Sequence, residues 1–228
     1  MRAFLDRSAA PSEILVEAVE RAQDFTHAAE HLVVRLYPAE VPKMKEDDSV
    51  EREAAPGIRA VLALDLGDAV VHVGEELARS WAVPLHELFE RAARNVAEHT
   101  PVESSHTEPL PGARLVTLYG SRNTVSSHVL SLGRHLPADA TRGALVVVPA
   151  RHMLVFHVIR DAAMLDAVRA LRLLAEMMYA REPGPISRSI YWYHAGKLEL
   201  VRLKQVGGVA ALAGPHALVT IATRLSRR

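Results

Sequence analysis

Apolar residues early in the chain recur at alternating steps of three and four, the spacing of an amphipathic helix. They mark one face over residues 12–36, at Leu15, Ala18, Ala22, Phe25, Ala29, Leu32 and Leu36. His27, His31 and Arg35 fall on the opposite, polar face, so we expect both histidines to be exposed. The charged stretch over residues 38–57 has no sustained period and predicts a linker.

Beyond Gly57 the pattern alternates between strand-like and helix-like segments. It predicts, in order, two strands around Gly67-Asp68 within residues 58–73, helices over 75–81 and 84–98, and a loop over 100–112. There follow a strand over 114–119, a helix over 124–135, and a hairpin of 144–148 with 154–158. The order ends with a helix over 161–180 capped by Asp161, a hairpin turning at Ala195-Gly196, and a last strand near 217–222.

Strand pairs that alternate with helices indicate an α+β fold, with a largely antiparallel sheet built from hairpins and packed by long amphipathic helices. We predict an N-terminal helix and charged linker over residues 1–57, an α+β domain over 58–204, and a C-terminal tail with an added strand over 205–228. The helix spacing predicts buried side chains at Leu85, Leu88, Phe89, Ala92, Val96, Met164, Val168, Leu171, Ala175 and Met178.

Charge and composition narrow the classes of function. The 228 residues include 27 Lys plus Arg and 27 Asp plus Glu, so no net field draws the protein to nucleic acid. There is no cysteine, which removes disulfides, thiolate nucleophiles and cysteine-ligated zinc. No apolar run reaches the roughly 20 residues of a membrane span, and the first residues lack a signal-peptide pattern. We therefore expect a cytoplasmic protein with no membrane or nucleic-acid partner.

His27, Glu30 and His31 spell H-x-x-E-H, the inverted zinc-hydrolase motif in which two histidines bind zinc and the glutamate activates water. The strands that precede such a motif helix and the glycines around it are missing here. A third ligand would have to come from Glu98, Glu103 or Glu108. We therefore favour a solvated polar face, keep the zinc site as an alternative, and predict no cofactor.

The segment GSRNTVSSH, residues 120–128, follows an apolar strand and enters a predicted helix. Unpaired backbone N–H groups at such a junction can hold an anion. The segment lacks the Gly-Lys-Ser/Thr ending of a P-loop and the glycines of a dinucleotide loop. Its candidate ligand contacts are Arg122, Asn123, Ser126, Ser127 and His128. In the alternative interpretation, Asn123 or Thr124 only caps the helix.

Two further turns carry candidate ligand contacts. Residues 149–152 predict a hairpin corner from which Arg151 and His152 could meet an acidic ligand, and Ser187 lies in a proline-marked turn. If this corner and the 120–128 segment meet at one end of the sheet, Arg122 and Arg151 would both face a carboxylate or phosphate. We expect such a common pocket to be the ligand site.

The same residues allow a catalytic triad to be nominated, from Ser127 or Ser187 with His152 and Asp161. Neither serine has the glycine pattern of a nucleophile elbow, so the triad stays an unsupported alternative. The aromatic run from Tyr191 to His194 could stack on a planar ligand, and cross-strand packing explains it as well.

Four segments in a fixed order carry a family resemblance: LHELFERAARNV, the Ser-rich loop, VVVPARHMLVF and PISRSIYWYHAGKLEL. Their order and spacing over residues 58–204 resemble the YtpQ-like bacterial proteins, whose domain has no assigned activity. The resemblance implies an intracellular α+β protein in which Asn95, Pro149, Arg151, Pro185 and Ser187 match recurrent family positions. His152 departs from the pattern, because the family often has an acidic residue after the arginine.

Two classes of function remain. We favour a binding or regulatory protein that takes a small anionic ligand or a protein partner, with a homo-oligomer left open, because the loops are polar and no catalytic set is complete. The alternative is a small-molecule hydrolase or transferase whose site is built from separated loops.

Overall fold

The computed structural model of the chain describes residues 20–41, 48–67, 69–206 and 209–226. The helices are α1 (Phe25–His31), α2 (Glu75–Ser80), α3 (Leu85–His99), α4 (Met164–Arg181) and α5 (His216–Leu225), and Val125–His135 forms 3₁₀ turns. The strands are β1 (Leu32–Pro38), β2 (Glu51–Ala55), β3 (Ile58–Asp65), β4 (Val70–His72), β5 (Glu103–Thr107), β6 (Leu115–Tyr119), β7 (Ala144–Ala150), β8 (Met153–Val158), β9 (Ile190–His194), β10 (Lys197–Val206) and β11 (Val209–Ala213).

The strands form two antiparallel sheets. The larger sheet has the order β11-β10-β9-β7-β8-β6-β5, and the smaller one has β3 between β1 and β2, with β4 also paired to β3. The hairpin of β9 and β10 turns through Ala195 and Gly196, both with positive φ (49° and 76°), where glycine is the least strained residue. The predicted α+β fold with hairpin-built antiparallel sheets is confirmed.

Strands β7 and β8 lie at the centre of the molecule and bury both of their faces. Val146, Val148 and Phe156 belong to one hydrophobic core, whereas Leu145, Val147 and Val155 belong to a second. Such two-sided burial explains the continuous apolar run of β7, because successive side chains of a strand point to opposite faces.

Helix α4 closes the second core with the stripe that its spacing predicts. Met164, Val168, Leu171 and Ala175 are buried, while Met178 is only half-buried. Asp161 does not occupy the cap position, which is Ala163, but its carboxylate accepts a hydrogen bond from the Ala163 N–H at 2.9 Å.

The first core joins the two sheets. Helix α3 packs on β1 and on the 3₁₀ segment through Leu88, Phe89, Ala92 and Val96, as predicted. Leu85 was expected in this stripe but is 53% exposed. It is the first residue of the helix, so the side chain lies before the point where α3 meets the sheet.

Within the helix predicted over residues 12–36, a turn at 22–24 precedes α1, which begins at Phe25 and ends at His31. Residues 12–19 lie outside the described part of the chain, and residues 32–36 belong to strand β1. Leu32, Val34 and Leu36 also fit a period of two, and pairing with β3 selects that period. The described part of the predicted linker likewise contains β2, and the expected boundary near Gly57 lies at the turn between β2 and β3.

Two further elements differ from the sequence prediction. The expected loop over 100–112 contains β5, an edge strand whose residues are mostly exposed, so it lacks an apolar alternation. The tail forms strand β11 at Val209–Ala213, and the strand expected near 217–222 is instead helix α5. Leu218, Ala222 and Leu225 are its buried residues, at helical steps of four and three. No helix within the described ranges is long and apolar enough to cross a bilayer.

Replacing Leu171 by Ala should lower the free energy of unfolding by about 2–5 kcal/mol, because a fully buried leucine leaves a cavity in the second core. Leu173 lies on the same helix but is 71% exposed, so Leu173→Ala is the matched control and should change little. Urea denaturation of both variants checks the difference. Equal midpoints for the two variants would contradict the described face of α4.

Candidate functional site

The Ser-rich segment predicted to meet a ligand lies mostly inside the protein. Ser126, Ser127 and His128 are at most 1% exposed, whereas Asn123 is exposed. The cap residue of the 3₁₀ segment is Thr124, and its side chain makes no capping hydrogen bond. The segment therefore acts mainly in packing, with Asn123 left at the surface.

Side chains from two elements bond to the carbonyl groups of the edge strand β1 and of the helix before it. The Asn95 side-chain amide donates to the Ala29 and Leu32 carbonyls at 2.8 and 2.9 Å, and Ser127 Oγ donates to the Val34 carbonyl at 2.7 Å. Backbone acceptors in the interior need such partners. Ser127, a predicted ligand contact, and Asn95, a position that matches the family resemblance, thus hold the smaller sheet in place.

The two arginines predicted to share a ligand are held apart. The backbones of the two turns do meet, because Ser126 N donates to the Arg151 carbonyl at 2.9 Å. The Arg122 guanidinium, however, is 2.8 Å from Asp65 at the end of β3, whereas Arg151 lies over the Tyr37 ring. These contacts are at opposite ends of the smaller sheet, about 20 Å apart by strand rise. The predicted common pocket of Arg122 and Arg151 is therefore not formed.

The nominated triad is also not assembled. Ser127 Oγ donates to the Val34 carbonyl, and His152 Nε2 lies 3.2 Å from Glu182. Ser187 Oγ accepts from the Ser189 N–H and lies 3.0 Å from the Tyr191 hydroxyl, whose proton goes to the Pro56 carbonyl. Ser187 must therefore donate to Tyr191, and no described histidine bonds to it.

The histidines of the H-x-x-E-H motif are exposed on α1, as predicted from the periodicity. His31 Nδ1 lies 3.2 Å from the Asp65 carbonyl oxygen and donates to it. In the described part of the chain, no three His, Cys, Asp or Glu side chains are grouped as metal ligands would be.

Arg151 belongs to a cluster of cationic and aromatic side chains on the smaller sheet, which we call the Arg151 cluster: Arg35, Tyr37, His72 and Arg151. The Cζ atoms of Arg151 and Arg35 lie 4.7 and 5.5 Å from the centre of the Tyr37 ring. The Tyr37 hydroxyl is 2.8 Å from His72 Nε2. Among these residues only Arg151 was a candidate from the sequence.

A groove of about 750 Å³ lies between the 3₁₀ segment and the outer strands of the larger sheet. Val116, Leu118, Phe156 and Val158 share the sheet face that forms its floor. Residues 134–137 form one wall, and Arg114, Arg134 and Arg160 reach its rim. Asp161 is the one acidic residue among its described lining residues.

A pair of histidines connects the buried Ser-rich segment to this groove. His128 Nε2 is 3.1 Å from the Thr100 carbonyl, which can only accept, so this nitrogen carries the proton. The other nitrogen, Nδ1, is then an acceptor, and at 3.0 Å it receives the Nε2–H of His135. Neutral His135 is left with an unprotonated Nδ1 on a ring that lines the groove.

Burial lowers the pKa of both rings. For His128 the charge of His135 lowers the pKa further, and for His135 the positive charge of Arg134 does the same. Both side chains are therefore neutral near pH 7, as the tautomer assignment requires. His135 was missed from the sequence because it ends a predicted helix without any motif around it.

The sequence matches no protein-family model, and neither curated proteins nor solved structures give a significant match to it. The resemblance to the YtpQ-like family stays a prediction.

The side-chain hydrogen bonds to these backbone carbonyls should contribute measurably to the free energy of unfolding. Asn95→Ala leaves two carbonyls without this donor and Ser127→Ala leaves one, and each variant should cost about 1–3 kcal/mol. Asn123→Ala, at an exposed position, serves as control and should be near neutral. Chemical denaturation measures all three, and an unaltered midpoint for both buried variants would refute this role.

Stability should fall in mild acid. Burial also lowers the pKa of His157, so three histidines take up protons more readily in the unfolded chain, where the pKa is about 6.5. The free energy of unfolding should thus decrease as the pH falls from about 7.5 to 5.5. Urea titrations at several pH values measure this slope. His157→Gln should flatten it and His27→Gln, at an exposed position, should not; equal slopes would argue against the assignment.

Proposed function

We propose that the protein binds a small anion, a carboxylate or a phosphate, at the Arg151 cluster and serves as a binding or regulatory protein. One observation carries the proposal: within the described ranges the half-buried Arg151 has no ion-pair partner, and its buried Nε has no hydrogen-bond acceptor. A guanidinium partly withdrawn from water without a counter-charge is unfavourable, so such a group is a natural receptor for an anion.

The surroundings of Arg151 fix its side chain in place. The Tyr37 ring lies under the guanidinium, and the Tyr37 hydroxyl is in turn held by His72. Gly184 has φ of 64°, and a Cβ there would lie 2.9 Å from Arg151 Cδ, so only glycine leaves room for the aliphatic stem. A side chain held in this way loses little entropy on binding.

The chemistry of the cluster suits an oxyanion. The planar guanidinium presents parallel N–H donors that match two oxygens of a carboxylate or phosphate. Arg35 lies against the same ring and adds a second positive charge to the site.

Binding is favoured over hydrolysis or group transfer because of what the candidate nucleophiles do. Ser127 donates its proton to a backbone carbonyl, and Ser187 donates to a buried tyrosine. Neither hydroxyl contacts a described general base, which nucleophilic catalysis by serine needs.

Thermal unfolding with increasing inorganic phosphate or acetate, against chloride at equal ionic strength, tests the proposal. At least one of the two anions should raise the melting temperature of the wild-type protein, because a ligand that binds only the folded state stabilises it. Arg151→Gln should abolish the shift, and Arg151→Lys should reduce it, since a lysine cannot bind two oxygens in parallel.

Arg188→Gln provides the matched control. Arg188 also lies over a tyrosine, with its Cζ 4.3 Å from the Tyr179 ring, but it is exposed and its Nε is 3.7 Å from Glu176. The control should keep the anion response of the wild type. Equal responses in Arg151→Gln and the wild type, or no response to either anion, would refute the proposed site.

A further inference from the structure

The groove beside His135 is a second candidate site, separate from the Arg151 cluster. Its volume of about 750 Å³ lies within the range of about 300–1,000 Å³ that small-molecule sites occupy. Three features define the ligand it would accept: an apolar floor, a hydrogen-bond acceptor on one wall, and arginines at the rim.

The floor requires an apolar ligand body. Register pairs Val116 with Phe156 and places Leu118 and Val158 on the same sheet face. Leu136 and Pro137, which directly follow the 3₁₀ segment, line the groove opposite this floor. An apolar group that enters between the two layers removes hydrophobic surface from water on both sides.

The wall supplies a fixed acceptor. His135 donates its Nε2–H to His128 Nδ1, and His128 donates its Nε2–H to the Thr100 carbonyl. His135 Nδ1 therefore carries a lone pair. No described side chain or backbone group bonds to this nitrogen. A ligand N–H or O–H could donate to it. The opposite tautomer is unfavourable, because it would place an unprotonated His128 Nε2 against the Thr100 carbonyl.

The rim offers guanidinium donors to a negatively charged group. Arg114, Arg134 and Arg160 outnumber Asp161 along the groove. Their present partners are Glu108, Glu98 and Asp139, at 3.5, 3.2 and 2.9 Å, and each pair is substantially exposed. The Arg114 and Arg134 pairs each rest on one exposed contact and contribute little, so a ligand carboxylate could replace them. Arg160 contacts both oxygens of Asp139, so a ligand would bridge this pair rather than replace it.

We infer that the groove binds an organic anion with an apolar body, whose N–H or O–H group donates to His135 Nδ1 and whose acidic group meets the rim arginines. Neither function class that the sequence left open specifies this site, and it stands independently of the anion proposed at Arg151.

Indole-3-acetate has all three features, and two relatives each lack one. Naphthalene-1-acetate has no N–H, and tryptamine replaces the carboxylate with a cation. Amide NMR titration of the full chain should place indole-3-acetate at groove residues such as Val116 and Leu136. Naphthalene-1-acetate should bind about three- to tenfold more weakly, as expected for one lost hydrogen bond, and tryptamine should not bind.

Variants separate the groove from non-specific binding. Ser104 is exposed on β5 and lines the groove, so Ser104→Trp should fill it and abolish binding without disturbing the core. Arg160→Gln should weaken indole-3-acetate binding, whereas Arg169→Gln, an exposed arginine paired with Asp166 on α4, should not.

Long-range ¹⁵N–¹H spectra of the histidine rings give a readout that is independent of affinity. They should show the Nε2–H tautomer for both His128 and His135, and indole-3-acetate should shift His135 Nδ1. A His135 ring with its proton on Nδ1 would overturn the inference, as would equal binding of indole-3-acetate and naphthalene-1-acetate. Binding that survives Ser104→Trp would also overturn it.

Discussion

The fold depends on how the carbonyl groups of β1 are hydrogen-bonded, because no further strand from the described residues pairs with this edge of the smaller sheet. Asn95 from α3 and Ser127 from the 3₁₀ segment donate to its carbonyls and to that of Ala29. The neighbouring Ser126 N–H donates to the turn between β7 and β8. A few short polar contacts thus connect one sheet to the other through a largely apolar interior, where each bond is difficult to replace with water.

The same buried segment also sets the protonation of a side chain that lines the groove, His135. The tautomer of His128 is fixed, because the Thr100 carbonyl accepts a hydrogen bond from its Nε2. His128 Nδ1 is then an acceptor, which fixes the proton of His135 on Nε2 at the groove wall. At the Tyr37 end of the smaller sheet, Arg151 is positioned by an aromatic ring and by the space above a glycine. In both places, neighbouring groups decide how the side chain is oriented and which donors or acceptors it presents.

The sequence predicted most helices and hairpins of the fold because their cores require regular spacing, as α3, α4 and the pair β7–β8 show. It failed where two periods coincide. Leu32 and Leu36 fit a strand as well as a helix, and only the pairing with β3 selects between them. This error also hid part of the Arg151 cluster, because a helix would have placed Arg35 on a solvated face, whereas it is 7% exposed in β1. The partners of Arg122, Ser127 and Ser187 come from distant segments, which no local pattern reveals.

Strands β7 and β8 place alternate side chains in different cores, so each strand serves as a wall for both. Loosening α4 would expose one face of these strands and weaken the support of the side chains on the other. Neither layer can therefore melt as an independent unit while the other keeps its packing. The chain should lose both cores in one cooperative step, despite having two sheets and two separate sets of buried side chains.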